Sequence, residues 1–284
     1  MRGFMDAEIK EKVDQLRREG WCVLERIIPE DDIDRVRAHV QEAHAKAQQD
    51  YEAMGGHIGR QTGPNGEPGV CLIAYLPDFA PYLGDERLLG VAQAVFGGHV
   101  RIAQTEFKTQ VPNREDLDWR GFHSDWPHDL TDRDFAGRVA QPFPNATMQL
   151  SVLWMLSPFG PETGGTWVVP RSHRDPLNPR MHQTPEGLEE RIDQFKPIRG
   201  EIQVVGPEGS ALVMDSRIWH STAANPSPEP RVAIITRYCP WWLSVEFGGR
   251  NNAIVPRDAY EALPEAVKLL YRHRAEGEVD AFRW

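Results

Sequence analysis

Few cysteines, no excess of positive charge and no long apolar run: each shortage removes a class of protein. Cys22, Cys71 and Cys239 are odd in number and far apart among 284 residues. They form neither a CxxC pair nor an even framework, so they read as buried reduced thiols. Acidic side chains outnumber basic ones, 42 to 32, giving a formal net charge of −10. Nucleic-acid phosphates select the opposite sign, so no nucleic-acid partner is expected. No stretch approaches the ~20 apolar residues that cross a bilayer. The opening MRGFMDAEIKEKVDQL has no apolar signal core. A cytoplasmic protein without a membrane partner is the expectation. Internal repeats and low-complexity segments are absent as well, and no feature assigns an oligomeric state.

What is present suits a globular fold, since 40% of the residues are hydrophobic and a chain of this length can bury a sizeable core around a pocket. Residues 6–19 and about 30–53 carry helical signals. In the second, Pro29 leads an acidic first turn (Glu30, Asp31, Asp32), and Ile33, Val36, Val40 and Ala43 follow at helical spacing. Residues 21–28, β-branched and aromatic, read as a strand. Residues 55–69 read as a loop long enough to be a lid. Residues 71–76 read as a short strand, and 85–96 as a helix ending at Gly97-Gly98. From residue 100 short apolar runs alternate with Pro/Gly breaks up to about residue 240, the texture of an antiparallel barrel or sandwich. The run 147–156 suits a strand buried on both faces. The stretch from Pro256 reads as helical and peripheral.

The sharpest local feature is Gly121-Phe122-His123-Ser124-Asp125-Trp126. In extended backbone, residues i and i+2 point to one side, so His123 and Asp125 can reach one point as an imidazole nitrogen and a carboxylate oxygen. A third ligand must come from elsewhere, and His220, in a short apolar strand before a turn-rich segment, is the best candidate. Two histidines and a carboxylate on one face of an octahedron leave three adjacent positions open, the arrangement of non-haem Fe(II) oxygenases. Arg231 opens the strand RVAIITRYC shortly after His220. A hairpin whose first strand carries His220 would return it to the same pocket, where its planar fork could bind a carboxylate through two hydrogen bonds. Thr222 should face the same side as His220 and could donate its hydroxyl to that carboxylate.

These residues resemble the phytanoyl-CoA dioxygenase family of Fe(II)/2-oxoglutarate oxygenases over most of the chain. The opening LRREGWCVLERIIPEDDIDRVR is similar to the family's helix, Gly-aromatic strand and second helix. His123-Ser124-Asp125 matches the HxD motif, residues 153–174 resemble the segment ending in a PGSH turn, and His220 and Arg231 match the distal histidine and the 2-oxoglutarate arginine. The resemblance implies a mainly β fold, a double-stranded β-helix (jelly-roll, cupin-like) core with flanking N-terminal and C-terminal helices. It implies one dioxygenase domain over 1–284: a helical buttress about 1–99, the core about 100–245 and a helical extension about 256–284. Fe(II), 2-oxoglutarate and O2 are the implied cofactors and a small molecule the implied substrate. Oxidation of an unactivated C–H bond by hydroxylation, desaturation or cyclisation would accompany release of succinate and CO2. Trp154 matches a strand tryptophan near the cosubstrate, and Gln104 occupies a strand where the family often places a polar pocket residue. Arg171 stands where the turn usually carries glycine. A carboxylate at Asp125, rather than Ala or Gly, weighs against the halogenating variant of this chemistry.

Two other classes compete. A cupin-like metal-dependent isomerase or hydrolase would share the three ligands but has no need of Arg231. A non-catalytic metal-sensing module would bind metal without turnover. His173 reads as a structural turn residue, and His128 as either pocket-lining or solvated. Trp241 and Trp242 read as strand-end packing ahead of a substrate wall. Net acidity weighs against a CoA ester, whereas Trp126, Trp241 and Trp242 lean toward an apolar or cyclic substrate. Residues 55–70 and 127–146 are the lid candidates.

Overall fold

A computed structural model describes residues 6–53, 72–110, 121–125, 146–175, 179, 193, 195–243 and 254–277. Both lid candidates apart from Ala146, together with Cys71, Trp126 and His128, lie outside them.

Helix α1 (Ala7–Glu19) starts where the Asp6 side chain accepts from Glu8 N–H and ends at Gly20, whose left-handed φ of 89° lets its N–H close on Leu16 O. Strand β1 (Trp21–Leu24) is shorter than the expected 21–28. Arg26 turns to φ 49°, and a left-handed residue cannot continue a strand. Helix α2 (Glu30–Ala53) buries Ile33, Val36, Val40, Ala43 and Ala47, the stripe its periodicity announces. The expected strand at 71–76 is instead one helical turn, α3 (Leu72–Tyr75). Ile73 and Leu76, three apart, are both buried, and Tyr75 donates its hydroxyl to Asp50 of α2. A six-residue apolar run does not distinguish the two periods, and packing on α2 selects the helical one. Short α4 (Ala80–Leu83) leads to α5 (Glu86–Phe96), capped by Asp85 and closed by Gly97 at φ 75°.

The strands that follow are β2 (Val100–Gln110), β3 (Leu150–Met155), β4 (Thr166–Val168), β5 (Ile202–Gln203), β6 (Ala211–Asp215), β7 (His220–Thr222) and β8 (Arg231–Pro240). They form two antiparallel sheets, ordered β1-β6-β3-β8-β2 and β5-β4-β7. Helices α6 (Arg257–Ala262) and α7 (Glu265–Tyr271) complete the described chain. The C-terminal helices are less peripheral than their sequence suggests. Val267, Leu270 and Tyr271 join the main core, and the Tyr271 hydroxyl meets Thr105 of β2 at 2.7 Å.

Strand alternation divides the core in two. One face of the large sheet (Val152, Trp154, Val213, Val232, Ile234, Tyr238) packs on the helices. The other (Leu153, Met155, Leu212, Met214, Ala233, Ile235) faces the small sheet. Every residue of β3 is buried, as expected for a strand covered on both sides. Among the described residues no helix is long and apolar enough to cross a membrane.

The hairpin expected between His220 and Arg231 does not form: β7 belongs to the small sheet and β8 to the large one. Residues 225–230 read Asn-Pro-Ser-Pro-Glu-Pro, and three prolines remove the ladder donors that a hairpin needs. Asn225 organises the crossing, accepting from Ser227 N–H and donating to Glu229 O.

The turn after β4 carries Arg171 at φ 72°, so the backbone keeps the glycine-type conformation despite the side chain. Its N–H donates to Glu19 O and its guanidinium to the Glu19 carboxylate. His173, in the 3-10 turn Ser172–Arg174, is buried with Nε2 3.3 Å from Arg17 O, which fits the structural role expected of it. A Cβ on Gly20 would lie 2.6 Å from His173 Nδ1, at a φ that side chains rarely adopt. Gly20→Ala should therefore cost about 2 kcal/mol and lower the melting temperature by roughly 5 °C in calorimetry. An unchanged melting temperature would show that this junction yields freely.

Candidate metal centre

Two backbone hydrogen bonds bring the expected ligands together. His123 N–H donates to His220 O at 3.0 Å and His220 N–H to His123 O at 2.8 Å, adding the His123 segment to the free edge of β7. The rings stand 4.3 Å apart between centroids. Asp125, two residues on, places Oδ1 3.8 Å from His123 Nε2 and 3.7 Å from His220 Nε2. One ligand atom from each residue lies within 4.8 Å of the others.

The protonation pattern suits a cation. His123 Nδ1 is 3.0 Å from Gly121 O, and His220 Nδ1 is 3.0 Å from Ile218 O. A carbonyl only accepts, so each Nδ1 carries the proton and each Nε2 turns its lone pair toward Asp125. With metal–ligand bonds of roughly 2.1 Å, adjacent donors stand about 3 Å apart. The carboxylate must therefore approach each imidazole by less than about 1 Å. Two neutral imidazoles and one carboxylate suit Fe(II) and similar divalent ions.

Asp125 is buried, and burial alone would raise its pKa. The Arg237 guanidinium above all, with the Ser151 hydroxyl, opposes that, and the carboxyl lies well below the usual carboxylate range. Arg237 Nη2 is 3.4 Å from Oδ1, and Ser151 Oγ donates to Oδ2 at 2.5 Å. Neither contact was anticipated from sequence. Arg237 was within reach of it: Arg231, Ala233, Ile235 and Arg237 alternate along one face of β8. Ser151 carries no such signal, because every position of β3 is buried.

Arg231 lies at the opposite end of β8. It is 3% exposed, donates through Nη1 to Gly165 O at 2.8 Å and stacks 4.9 Å over Phe159. Its Nε has no partner among the described residues, where no carboxylate pairs with it either, and burial pushes its pKa down to about 9. Gly165 O also accepts from Ala223 N–H. Arg231 and Ala223 thus share one carbonyl, and Thr222, next to Ala223, is half-buried and two residues, or about 7 Å, along β7 from His220. Between the two ends, Leu153 and Ile235 keep 8% and 9% exposure while Met155, Leu212 and Met214 keep none.

The structure does not bring Trp154 to this site. Its ring lies on the helix-facing side of β3, edge-on to Phe79 at 5.2 Å, with Nε1 donating to Thr236. Strand parity decides this: residues 151, 153 and 155 face the small sheet, so 154 cannot. Gln104 pairs through its backbone with Arg237 at an irregularity of β2, and its side chain lies outside the described residues. Trp242 is 56% exposed after the end of β8 rather than packed.

The phytanoyl-CoA dioxygenase family model matches residues 16–233. The ectoine dioxygenase of Nocardia farcinica is 27% identical over 237 residues, covering 78% of this chain and 74% of that one. Among solved structures, EctD from S. alaskensis with 2-oxoglutarate and 5-hydroxyectoine superposes with a TM-score of 0.58 at 20% identity, over 84% of this chain and 79% of that one. HygX from Streptomyces hygroscopicus, with nickel, 2-oxoglutarate and hygromycin B bound, gives 0.57 at 17% identity, over 88% and 92%. At these identities the superpositions speak for the fold.

A buried guanidinium without an anion destabilises the protein that holds it. Arg231→Met keeps the apolar stem and removes the charge, so the ligand-free variant should gain roughly 1–4 kcal/mol and melt at a higher temperature. A lower melting temperature would mean that the bond to Gly165 outweighs the cost of burial.

Proposed function

The chain belongs to the phytanoyl-CoA dioxygenase family of 2-oxoglutarate-dependent non-haem iron dioxygenases. From that premise we propose that it hydroxylates an unactivated C–H bond of a small organic molecule, with desaturation or cyclisation as outcomes of another substrate pose. His123, Asp125 and His220 hold Fe(II). Arg231 and Thr222 take the distal carboxylate of 2-oxoglutarate, and residues 1–284 act as one catalytic domain. The observation that carries the reading is Arg231 itself, a buried cation with no carboxylate partner among the described residues, on the same face of β8 as Arg237, which flanks Asp125 of the triad. A five-carbon dicarboxylate can answer both ends at once.

Bound Fe(II) and 2-oxoglutarate supply the oxidising chemistry, in which the cosubstrate is converted to succinate and CO2 while O2 is consumed. The chain's own residues prepare the place for it. The two imidazoles present Nε2 because Gly121 and Ile218 carbonyls occupy Nδ1–H. Asp125 stays ionised because Arg237 and Ser151 face it. Arg231 offers its planar fork in a water-poor space, where charge-assisted hydrogen bonds are strong. Leu153 and Ile235 form an apolar floor between the two ends and keep water from the reacting centre. The N-terminal and C-terminal helices pack into one core on the far face of the same sheet, which supports the single-domain reading. An isomerase or hydrolase using the triad alone would have no use for Arg231.

Anaerobic addition of Fe(II) and 2-oxoglutarate should produce the visible charge-transfer band of their chelate. With O2, succinate should accumulate in response to a substrate found by screening small molecules. Arg231→Ala removes charge-assisted bonds worth about 3 kcal/mol together, so it should raise the KM for 2-oxoglutarate roughly 100-fold. Asp125→Ala should abolish substrate-coupled succinate formation. Full activity in Asp125→Ala, or an unchanged KM in Arg231→Ala, would refute the corresponding assignment.

A further inference from the structure

Asp125 has two carboxylate oxygens, and they have different neighbours. Oδ1 faces both imidazoles, while Oδ2 accepts the Ser151 hydroxyl at 2.5 Å. Behind Ser151 the polar contacts continue. Ser151 Oγ is 3.0 Å from Ser216 Oγ, which is 3.0 Å from Gln149 Oε1. Ser151, Ser216 and Gln149 are all buried, so this row of polar groups runs through an apolar interior and ends on a carboxylate of the triad.

Counting protons shows what the row does. Each hydroxyl has one proton to donate, and a carboxylate only accepts. Ser151 therefore directs its proton to Asp125. If Ser216 directs its proton to Gln149 Oε1, no proton lies between the two serines. Gln149 Nε2 is then left buried with no partner among the described residues. An orphaned buried donor is unfavourable, and a half-turn of the amide exchanges its oxygen and nitrogen without moving anything else. With the amide turned, Gln149 donates to Ser216, Ser216 to Ser151 and Ser151 to Asp125. Every contact in the row then holds one proton, and the partnerless position of the amide carries its oxygen instead of its nitrogen.

We infer that Gln149, Ser216 and Ser151 form a one-way hydrogen-bond relay that pins Asp125 Oδ2, so that the carboxylate meets the metal through Oδ1 alone. The inference rests on the reading of His123, Asp125 and His220 as the metal ligands. Arg237 stands opposite Ser151 in the β3–β8 register and flanks Oδ1 at 3.4 Å. Held on both sides, the carboxylate cannot swing round to chelate with both oxygens. The coordination positions that a second oxygen would occupy stay open for cosubstrate and O2. The three residues touch neither metal nor substrate; they are positioning residues that act through Asp125.

Calorimetric titration of Ni(II), a redox-inert probe, into the full-length apoprotein tests this without turnover. Ser151→Ala should weaken binding about 10–100-fold, the range for loss of a partner behind a ligand. Ser151→Thr, which keeps the hydroxyl, should restore it. Gln149→Met keeps the volume but removes the first donor, and should weaken binding several-fold; it also serves if Ser151→Ala fails to fold. Affinities within twofold of the parent in both Ser151→Ala and Gln149→Met would overturn the relay and leave the ligand assignment standing. A parent protein that binds no Ni(II) would overturn the ligand assignment, and the relay with it.

Discussion

Two backbone hydrogen bonds between His123 and His220 determine where every other group of the site must stand. Residues exchanging both bonds in an antiparallel pair have side chains on the same face, so the imidazoles meet without any interaction of their own. Asp125 then follows from the two-residue repeat of extended backbone, and Thr222 from the same repeat along β7. The bridge in turn depends on β7 being held at the edge of the small sheet by β4, with Thr166 opposite Thr222 and Val168 opposite His220. The placement of the triad is therefore anchored in main-chain geometry.

Charge is placed in the interior with a marked asymmetry. At one end Asp125 is answered by Arg237, so the pair adds no net charge before any metal arrives. At the other end, among the described residues, Arg231 meets a carbonyl and an aromatic face but no carboxylate. Burying a cation without its counterion is costly, and perturbed groups of this kind cluster at functional sites. Leu153 and Ile235, paired across β3 and β8, stand between the two ends.

Much of the helical frame was legible because its signals are local. Asp85 and Gly97 cap α5 with their own side chain and backbone, and the apolar stripe of α2 is written at helical period. Residues 71–76 defeated the same reasoning, since six apolar residues satisfy either period until α2 is there to pack against. Trp154 was misplaced because parity along β3 cannot be counted from the sequence when both faces are apolar. Arg231 reaches the face of β8 that carries Arg237 by a route other than the hairpin expected of it. The spacing from His220 pointed to it, but the prolines after Asn225 carry the chain across to the other sheet rather than around a hairpin.

By itself the sequence determined which residues could ligate a metal, since the HxD triplet works at the two-residue period of any extended segment. It also determined the main helices and the strand-rich middle of the chain, because caps, turns and periodicity act over a few residues. Only the tertiary structure decided that His123 pairs with His220, that Arg231 arrives from the opposite sheet, and that Ser151 and Arg237 flank Asp125. These are contacts between segments far apart in the chain. They depend on sheet order and register, which are set by how whole strands bury their faces against one another.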